Sequence, residues 1–397
     1  MIQTIRRIDA ALLAWPRTVQ YAMIAATLAG MLVLAVSEVP RVYVDFSKVT
    51  WMPAIDQPEQ YGPDTIAGMY ASRVILNDPS DMYTRALDQT PLEAETWSKQ
   101  ASSPYPPVTL LSQAALYAVG EAAGIGFYGA VLILAVIFVG LVATYCLRTR
   151  WYVFPLLFGN FVYFGYRFVA VQDVTYLIML TVVMVALHGA RGGSTWSHPL
   201  IALAITIKLS PAYYLKNLFL LPRRTALVVI AILLAGFVLP MAIWDEYLSI
   251  YSFHEEFKGS TAETLGAVAL AVPFALCLWY VETRLKFDWE DRIGWGIVPF
   301  ALFLGFKMNT ARHLLIVLLI PDKRGLRSAA LAMGLLVPVI LPGIVRFNST
   351  LAITAGLLVL NLVYYLHCIG WTQVRHDFAH PGKTMRLMLQ PQQSPSS

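Results

Sequence analysis

The acidic side chains that could do chemistry gather in one polar segment, residues 38–107. It holds ten acidic and five basic residues, a balance of −5 within a chain whose formal charge is +5. Asp64 stands out because it follows Gly62-Pro63 and directly precedes a stretch with helical spacing that begins at Thr65. Two roles are open to it. It can cap that helix by accepting a backbone N–H, or it can act as a general base toward an attacking hydroxyl.

A proline-rich segment ends this polar region, and two later loops carry further polar groups. Residues 103–107 (SPYPP) cannot be helical across their prolines. They form either a simple connecting loop or a rigid wall that holds Tyr105 beside a substrate groove. Gln172 and Asp173 form a polar pair that either caps a helix, or pairs through Asp173 with Arg167, or faces a ligand. The second loop holds two cations and a histidine, which are structural or hold a phosphate: Lys307, Arg312 and His313.

A charged residue also interrupts an apolar region. The runs 197–207 and 211–221 are each about eleven residues long, too short to cross a bilayer alone. Lys208-Leu209-Ser210-Pro211 lies between them. A charge at such a helix break is tolerated only where it faces protein or a water-filled cavity, so Lys208 is a candidate binding residue. The arrangement of charged loops described below puts it in the outer half of the membrane.

Composition assigns these groups to a membrane protein. Of 397 residues, 57% are hydrophobic and 13% are charged, about half the usual charged fraction. This excludes a soluble enzyme, a disordered chain and a disulfide scaffold, and the long apolar runs do not alternate as in a β-barrel. The basic residues lie between apolar runs, which orients membrane helices and gives no indication of a nucleic-acid partner. The cysteines have no metal spacing, and His254 with Glu255 and Glu256 lacks a second cluster, so no metal is expected.

Apolar runs and basic clusters predict the topology. The predicted fold is an all-α bundle of about twelve transmembrane helices, with the tail and the basic loops on the cytoplasmic side. Those loops contain Arg148/Arg150, Arg191, Arg223/Arg224, Arg284/Lys286 and Lys323/Arg324/Arg327. For all of them to share one side, the short piece 106–120 must be a re-entrant or interfacial helix on the outer face. A cleaved signal peptide is disfavoured because Pro16 and Arg17 delay the first run.

The chain therefore divides into five predicted segments. A cytoplasmic N-terminus (1–18) precedes the first transmembrane helix (19–37). An outer loop with surface helices and the re-entrant piece (38–126) is followed by the helical bundle (127–371). A cytoplasmic tail (372–397), rich in Pro, Gln and Ser toward its end, is predicted to be disordered.

Several of these motifs follow one another in the order found in a known family. They are GPDTIAGMYASRVILNDPSDMY (62–83), SPYPPVTLL (103–111), VQD (171–173) and IKLSP (207–211). The set resembles the polyprenol-phosphate-mannose-dependent glycosyltransferases of family 87, in the GT-C superfamily. The resemblance covers roughly residues 40–350 through short motifs. Val171 stands where that family has Gly, and Leu209-Ser210 separate Lys208 from Pro211.

The resemblance implies an inverting single displacement, with Asp64 as the base. A sugar, mannose by analogy, would move from a polyprenyl-phosphate donor to a hydroxyl of a glycolipid or polysaccharide acceptor. The enzyme would be a multi-pass protein of the inner (plasma) membrane with its active site on the periplasmic side. Lys208, Arg312, His313 and, more weakly, Lys307 would stabilise the leaving phosphate, and Gln172 and Asp173 would bind sugar hydroxyls or orient a cation. The donor is a substrate, and no cofactor is expected.

Two other classes remain open from the sequence. Broken helices and buried charge also suit a lipid-linked-sugar flippase or transporter, although no internal repeat is visible and the outer loop is large and acidic. A non-catalytic subunit of an envelope polysaccharide assembly is the third possibility. A transporter requires a path to both sides, whereas an enzyme requires one outward cavity with a lateral opening to lipid.

Overall fold

The computed structural model describes residues 2–43, 76, 107–158, 174–243, 261–307, 316–317, 319–323 and 347–389. These residues form helices and turns, with no strand among them. The helices with stated bounds are α1 (Ile2–Leu13), α2 (Arg17–Tyr43), α3 (Pro107–Ala122), α4 (Gly126–Arg148), α5 (Val174–Arg191), α6 (Ser197–Ile207), a 3₁₀ helix (Ser210–Leu220), α7 (Arg223–Leu233), a π-helical turn (Leu234–Val238), α8 (Leu239–Ile243), α9 (Thr261–Arg284), α10 (Trp289–Trp295), α11 (Val298–Lys307), α12 (Phe347–Ile369), α13 (Trp371–Ala379) and α14 (Pro381–Leu389).

Four helical segments of the described chain are long and apolar enough to cross a membrane. They are Gly129–Arg148, Val174–Arg191, Arg223–Ile243 and Thr264–Arg284. A fifth results if the bent pair Thr354–Ile369 and Trp371–Ala379 is taken as one span. The prediction of an all-helical chain with membrane-spanning helices agrees with this architecture, while the count of about twelve spans stays a prediction.

Three of the basic clusters that the sequence assigns to one side, at Arg148/Arg150, Arg191 and Lys323, lie at one end of the bundle. Arg191, which ends α5, donates from Nη2 to the carbonyl of Arg148, which ends α4, at 2.6 Å. Arg150 follows α4 and pairs with Asp9 of α1, Nε to Oδ1 at 2.9 Å. Lys323 pairs with Asp288, which caps α10 just after the end of α9. We call this the basic end of the bundle.

Asp9 also accepts a hydrogen bond from a third residue at the basic end. The Tyr152 hydroxyl donates to Asp9 Oδ1 at 2.5 Å. Burial of the phenol, and then its hydrogen bond to this carboxylate, raise the pKa of Tyr152. The hydroxyl therefore stays protonated and donates, and it helps to hold α1 against the bundle.

The two short runs around Lys208 form a hairpin, so the chain enters α6 and leaves the 3₁₀ helix at the same end of the bundle. α6 stops at Ile207 because Lys208 is extended, with φ −153° and ψ 134°, and Pro211 then starts the 3₁₀ helix. Near the start of α6, His198 Nδ1 lies 2.5 Å from the hydroxyl of Tyr214, in the returning limb. The 3₁₀ helix therefore runs back along α6, and Lys208 lies at the tip of this hairpin.

A tight turn joins α3 to α4. The Ile125 N–H donates to the Gly120 carbonyl at 3.0 Å, and the turn contains Gly124 and Gly126, both at positive φ. A Cβ built on Gly120 would lie 2.2 Å from the Gly126 carbonyl oxygen, so the two helices meet here at backbone contact. The predicted re-entrant piece 106–120 corresponds to α3, whose relation to the membrane stays a prediction.

The tail is helical to Leu389, where the sequence predicted disorder from residue 372. Gly370, at φ +95°, lets the chain bend by 92° between α12 and α13. Asp377 of α13 accepts hydrogen bonds from Tyr280 (2.7 Å) and Gln373 (2.8 Å) and pairs with Arg284 (2.5 Å). Burial alone would raise the pKa of Asp377, but these donors and the charge of Arg284 lower it. The predicted surface helices of the outer loop lie outside the described residues except for Leu76, which is helical and exposed.

Candidate functional site

Lys208 is the one predicted site residue whose side chain lies within the described part of the chain. Lys307 ends α11, but its side chain is outside that part. The remaining predicted site residues lie outside the described residues: Asp64, Tyr105, Gln172, Asp173, Arg312 and His313.

The Lys208 ammonium lies against an aromatic face. Its Nζ is 3.5 Å from the ring centroid of Tyr176, in the first turn of α5, and the Tyr176 side chain is buried. A cation at this distance from a ring is attracted by the negative face of the π system. Lys208 is itself half-buried. It therefore faces protein, which is what a charge at a helix break within a membrane requires.

The first turn of α3 contacts the chain at the same helix break, next to Lys208. The Thr109 hydroxyl is fully buried and donates to the carbonyl of Ile207. Carbonyls in the last turn of a helix have no partner within it, so Thr109 satisfies one that the break at Lys208 exposes. α3 is thereby fixed to the tip of the hairpin.

A second hydrogen bond joins α3 to α5. Gln113 Nε2 donates to Thr175 Oγ1 at 2.8 Å, and both side chains are buried. Gln113 Oε1 is also buried and has no hydrogen-bond partner among the described residues. An amide oxygen in this state is an acceptor that a ligand hydroxyl or N–H could use.

These contacts define the Lys208 junction: Thr109, Gln113, Thr175, Tyr176, Ile207 and Lys208. Within α5, Tyr176 precedes Arg191 by fifteen residues, which is about 22 Å along a helix. The junction therefore lies far from the basic end of the bundle. Two of the segments predicted to bind substrate lead directly into it, because Tyr105 precedes Thr109 by four residues and Asp173 precedes Thr175 by two.

Comparison with known proteins gives no match for this chain, whether with family models, curated proteins or solved structures.

A second polar group, which the sequence analysis missed, lies at the other limb of the hairpin. Lys216 of the 3₁₀ helix pairs with Glu282 of α9. Arg292 of α10 lies 3.7 Å from the same carboxylate and donates to Asn217 Oδ1 at 2.8 Å. All four residues are buried or nearly so. The signal that could have found this group was Lys216 itself, a cation in the middle of an apolar run.

The helix α10 is buried although its sequence (WEDRIGW) is strongly charged. Asp288 caps it by accepting the Asp291 N–H at 2.9 Å. Glu290 accepts from the hydroxyl of Tyr145 at 2.6 Å and pairs with Arg191 at 3.1 Å. Burial of these charges is tolerated because they are paired or hydrogen-bonded. Together with the Lys216 group they occupy the side of the bundle nearer its basic end.

Within the described ranges, no group of three or more His, Cys, Asp or Glu side chains could hold a metal ion. His254 and its two glutamates lie outside those ranges, so the expectation that no metal takes part stays a prediction.

Proposed function

We propose that this protein is a membrane glycosyltransferase of GT-C type, with about twelve spans. It would transfer a sugar, mannose by resemblance, from a polyprenyl-phosphate donor to a hydroxyl of a lipid or polysaccharide acceptor. The observation that carries the proposal is the Lys208 junction, where segments adjoining three of the family-like motifs come together. The proposal further assigns the reaction to the outer face of the inner (plasma) membrane, because charged loops at the basic end favour a cytoplasmic location for that end.

In the proposed reaction, the acceptor oxygen attacks the anomeric carbon as the bond to the phosphate oxygen of the donor breaks. Asp64 takes the proton from the acceptor hydroxyl, a contribution of typically 10²–10⁴-fold. Attack from one face and departure from the other invert the anomeric centre. The leaving lipid phosphate is anionic at neutral pH, so it requires stabilisation of negative charge and no general acid.

Lys208 is the described cation suited to that stabilisation. Its ammonium has three donors, and the ring of Tyr176 holds it at the tip of the hairpin. Arg312, His313 and Lys307 would add further positive charge from the late loop, and Gln172 and Asp173 would bind sugar hydroxyls or orient a cation. The buried Gln113 amide oxygen could accept from a hydroxyl group of either substrate.

The decisive experiment is transfer of radiolabelled sugar from synthetic polyprenyl-phosphate-mannose to membrane glycolipids by the purified protein. We expect Asp64→Asn to abolish transfer while the protein keeps its thermal unfolding midpoint. Asp78→Asn is the matched control, because Asp78 lies in the same loop beside Pro79 and is predicted to be a turn residue. A fully active Asp64→Asn enzyme would refute the assignment of the base.

A flippase for a lipid-linked sugar is the second candidate, and the buried Lys216 group favours it by placing charge along the hairpin toward the basic end. The two functions separate in proteoliposomes. A flippase moves a fluorescent polyprenyl-phosphate sugar between leaflets without changing it, whereas a transferase consumes the donor and releases polyprenyl phosphate.

A further inference from the structure

The first of the two tail helices, α13, lies at a right angle to α12. α12 has 23 residues, about 34 Å of helix, which is enough to cross a hydrocarbon core by itself. The bend at Gly370 then turns the chain by 92°. If α12 stands across a membrane, α13 lies parallel to the membrane plane.

Contacts with α9 fix α13 in this orientation. Asp377 and Val374 form its buried face, and Asp377 bonds to Tyr280 and Arg284 near the end of α9. The Thr384 hydroxyl of α14 donates to the carbonyl of Asp377 at 2.8 Å, which ties α14 to α13. The pair is thus docked against the bundle beyond the end of α12.

The exposed side chains of this pair are of two kinds. Four large apolar groups are 47–60% exposed: Trp371, Phe378, Met385 and Leu389. Three cations are exposed beside them: Arg375, Lys383 and Arg386. On α14, Met385 and Leu389 are four residues apart and share a face, Lys383 is two residues from Met385 and lies on the opposite side, and Arg386 lies at the border of the apolar face, three residues before Leu389. On α13, Arg375 lies on the same side as Trp371 and Phe378. Exposed apolar side chains with cations beside them, whose charged ends can reach the head groups, are typical of helices that lie in a membrane interface.

The N-terminal helix also presents a cation and an apolar side chain at the basic end of the bundle. Arg7 and Ile8 of α1 are both exposed, and Asp9 joins this helix to Arg150 at the basic end. Arg284, the partner of Asp377, precedes the capping residue Asp288 at that same end. Cations from both chain termini are therefore presented where the basic clusters gather.

We propose that α13 and α14 form an interfacial surface that binds the head groups of anionic phospholipids. The apolar residues enter the boundary between head groups and acyl chains, and the cations contact lipid phosphates. A membrane is favoured over a protein partner because α13 lies at a right angle to α12, which is long enough to cross a hydrocarbon core, and because the exposed cations complement anionic lipid. This inference is independent of the proposed enzyme activity.

Spin labels on the full-length protein in nanodiscs test the orientation. Single labels are placed at Met385→Cys and Lys383→Cys after Cys277 and Cys368, which are at least partly accessible, are replaced by alanine. Cys146 is kept because it is buried. In discs of phosphatidylcholine with one-quarter phosphatidylglycerol, we expect the label at 385 to be relaxed mainly by oxygen. The label at 383 should respond mainly to a water-soluble nickel chelate. Equal, water-like responses at both positions would overturn the proposal.

Charge removal tests the head-group contact. We expect the double substitution Arg375→Gln/Arg386→Gln to lower the ratio of membrane-bound to unbound α13–α14 surface in the anionic discs on the order of 30-fold, about fivefold for each cation. The variant should respond far less to phosphatidylglycerol than the parent protein does. If membrane binding of this surface depends neither on phosphatidylglycerol nor on these substitutions, binding of anionic head groups is refuted. Spin–spin broadening at 385 would instead identify a second copy of the chain as the occupant and would also refute it.

Discussion

At the residue scale, Lys208 is a charged side chain held in place at a break between two apolar helices. Its charge is held at the tip of a hairpin by the Tyr176 ring, and the Thr109 hydroxyl satisfies a carbonyl at the break beside it. A cation fixed in this way needs little reorganisation when negative charge develops nearby, which is the condition for electrostatic catalysis.

We expect Lys208→Gln to lower kcat for sugar transfer by about 10²-fold, because the glutamine retains hydrogen-bonding capacity but lacks the charge. KM for the donor should change less than kcat if the charge acts mainly on the departing phosphate. Steady-state kinetics with purified variants measure both constants.

Lys286→Gln is the matched control for that experiment, because Lys286 is exposed and follows α9 at the basic end. It should leave kcat unchanged. A Lys208→Gln enzyme with wild-type kcat would remove Lys208 from the reaction.

Lys208 was predictable from sequence, whereas Lys216 was not selected. The break at Lys208 is visible as two runs too short to span, separated by a charge and a proline. Lys216 depends on Glu282, 66 residues away, and Asn217 on Arg292, 75 residues away. Pairing over such separations leaves no local pattern, and only the presence of a cation in an apolar run hints at it.

At the element scale, the helix limits around the hairpin follow from composition but its direction does not. The apolar runs 197–207 and 211–221 correspond to α6 (Ser197–Ile207) and the 3₁₀ helix (Ser210–Leu220). The return toward the same end depends on the contact of His198 with Tyr214. The buried position of α10 was likewise hidden, because charged residues without visible partners are expected at a surface.

The α3–α4 turn gives a test at this scale. We expect Gly120→Ala to lower stability by about 1–3 kcal/mol, because the new Cβ would meet the Gly126 carbonyl oxygen at 2.2 Å and the two helices would have to separate. Thermal unfolding of the detergent-solubilised protein, followed by size-exclusion fluorescence, measures the change.

Gly140→Ala is the control in the neighbouring helix, because a Cβ on Gly140 meets no atom within 4 Å and alanine favours helix. Its unfolding midpoint should stay the same or rise. If both substitutions have the same effect, the close approach at Gly120 does not contribute to stability.

At the scale of the whole molecule, composition was sufficient for the class. A chain with 57% hydrophobic and 13% charged residues was predicted to be an all-helical membrane protein, and the described residues form helices, four of them able to span. Charge patterning also predicted that the basic clusters, Arg223/Arg224 among them, share the cytoplasmic side, which stays a prediction; of these clusters, Arg148, Arg150, Arg191, Arg284 and Lys323 lie at the basic end. The number of spans could not be decided in this way, because short runs such as α6 cross only part of a bilayer.

The pairing of Lys216 with Glu282 constrains the order in which the chain is assembled during synthesis. Lys216 leaves the ribosome 66 residues before its partner exists. Burying an unpaired lysine in hydrocarbon costs roughly 2.5–3.5 kcal/mol on translocon insertion scales. We therefore expect the hairpin to reach its final depth only after α9 has been made, so that its insertion is completed after the synthesis of a helix that follows it in the chain.

Truncated chains make this order measurable. We expect Ser210→Cys, at a position 2% exposed in the folded chain, to react with a water-soluble maleimide in nascent chains that end at residue 260. The same thiol should be protected in full-length chains with Cys277 and Cys368 replaced by alanine. Protection of the thiol in the truncated chain would show that the hairpin reaches its final position without α9. The charge of Lys216 would then have to be paired or solvated by another group until Glu282 is made.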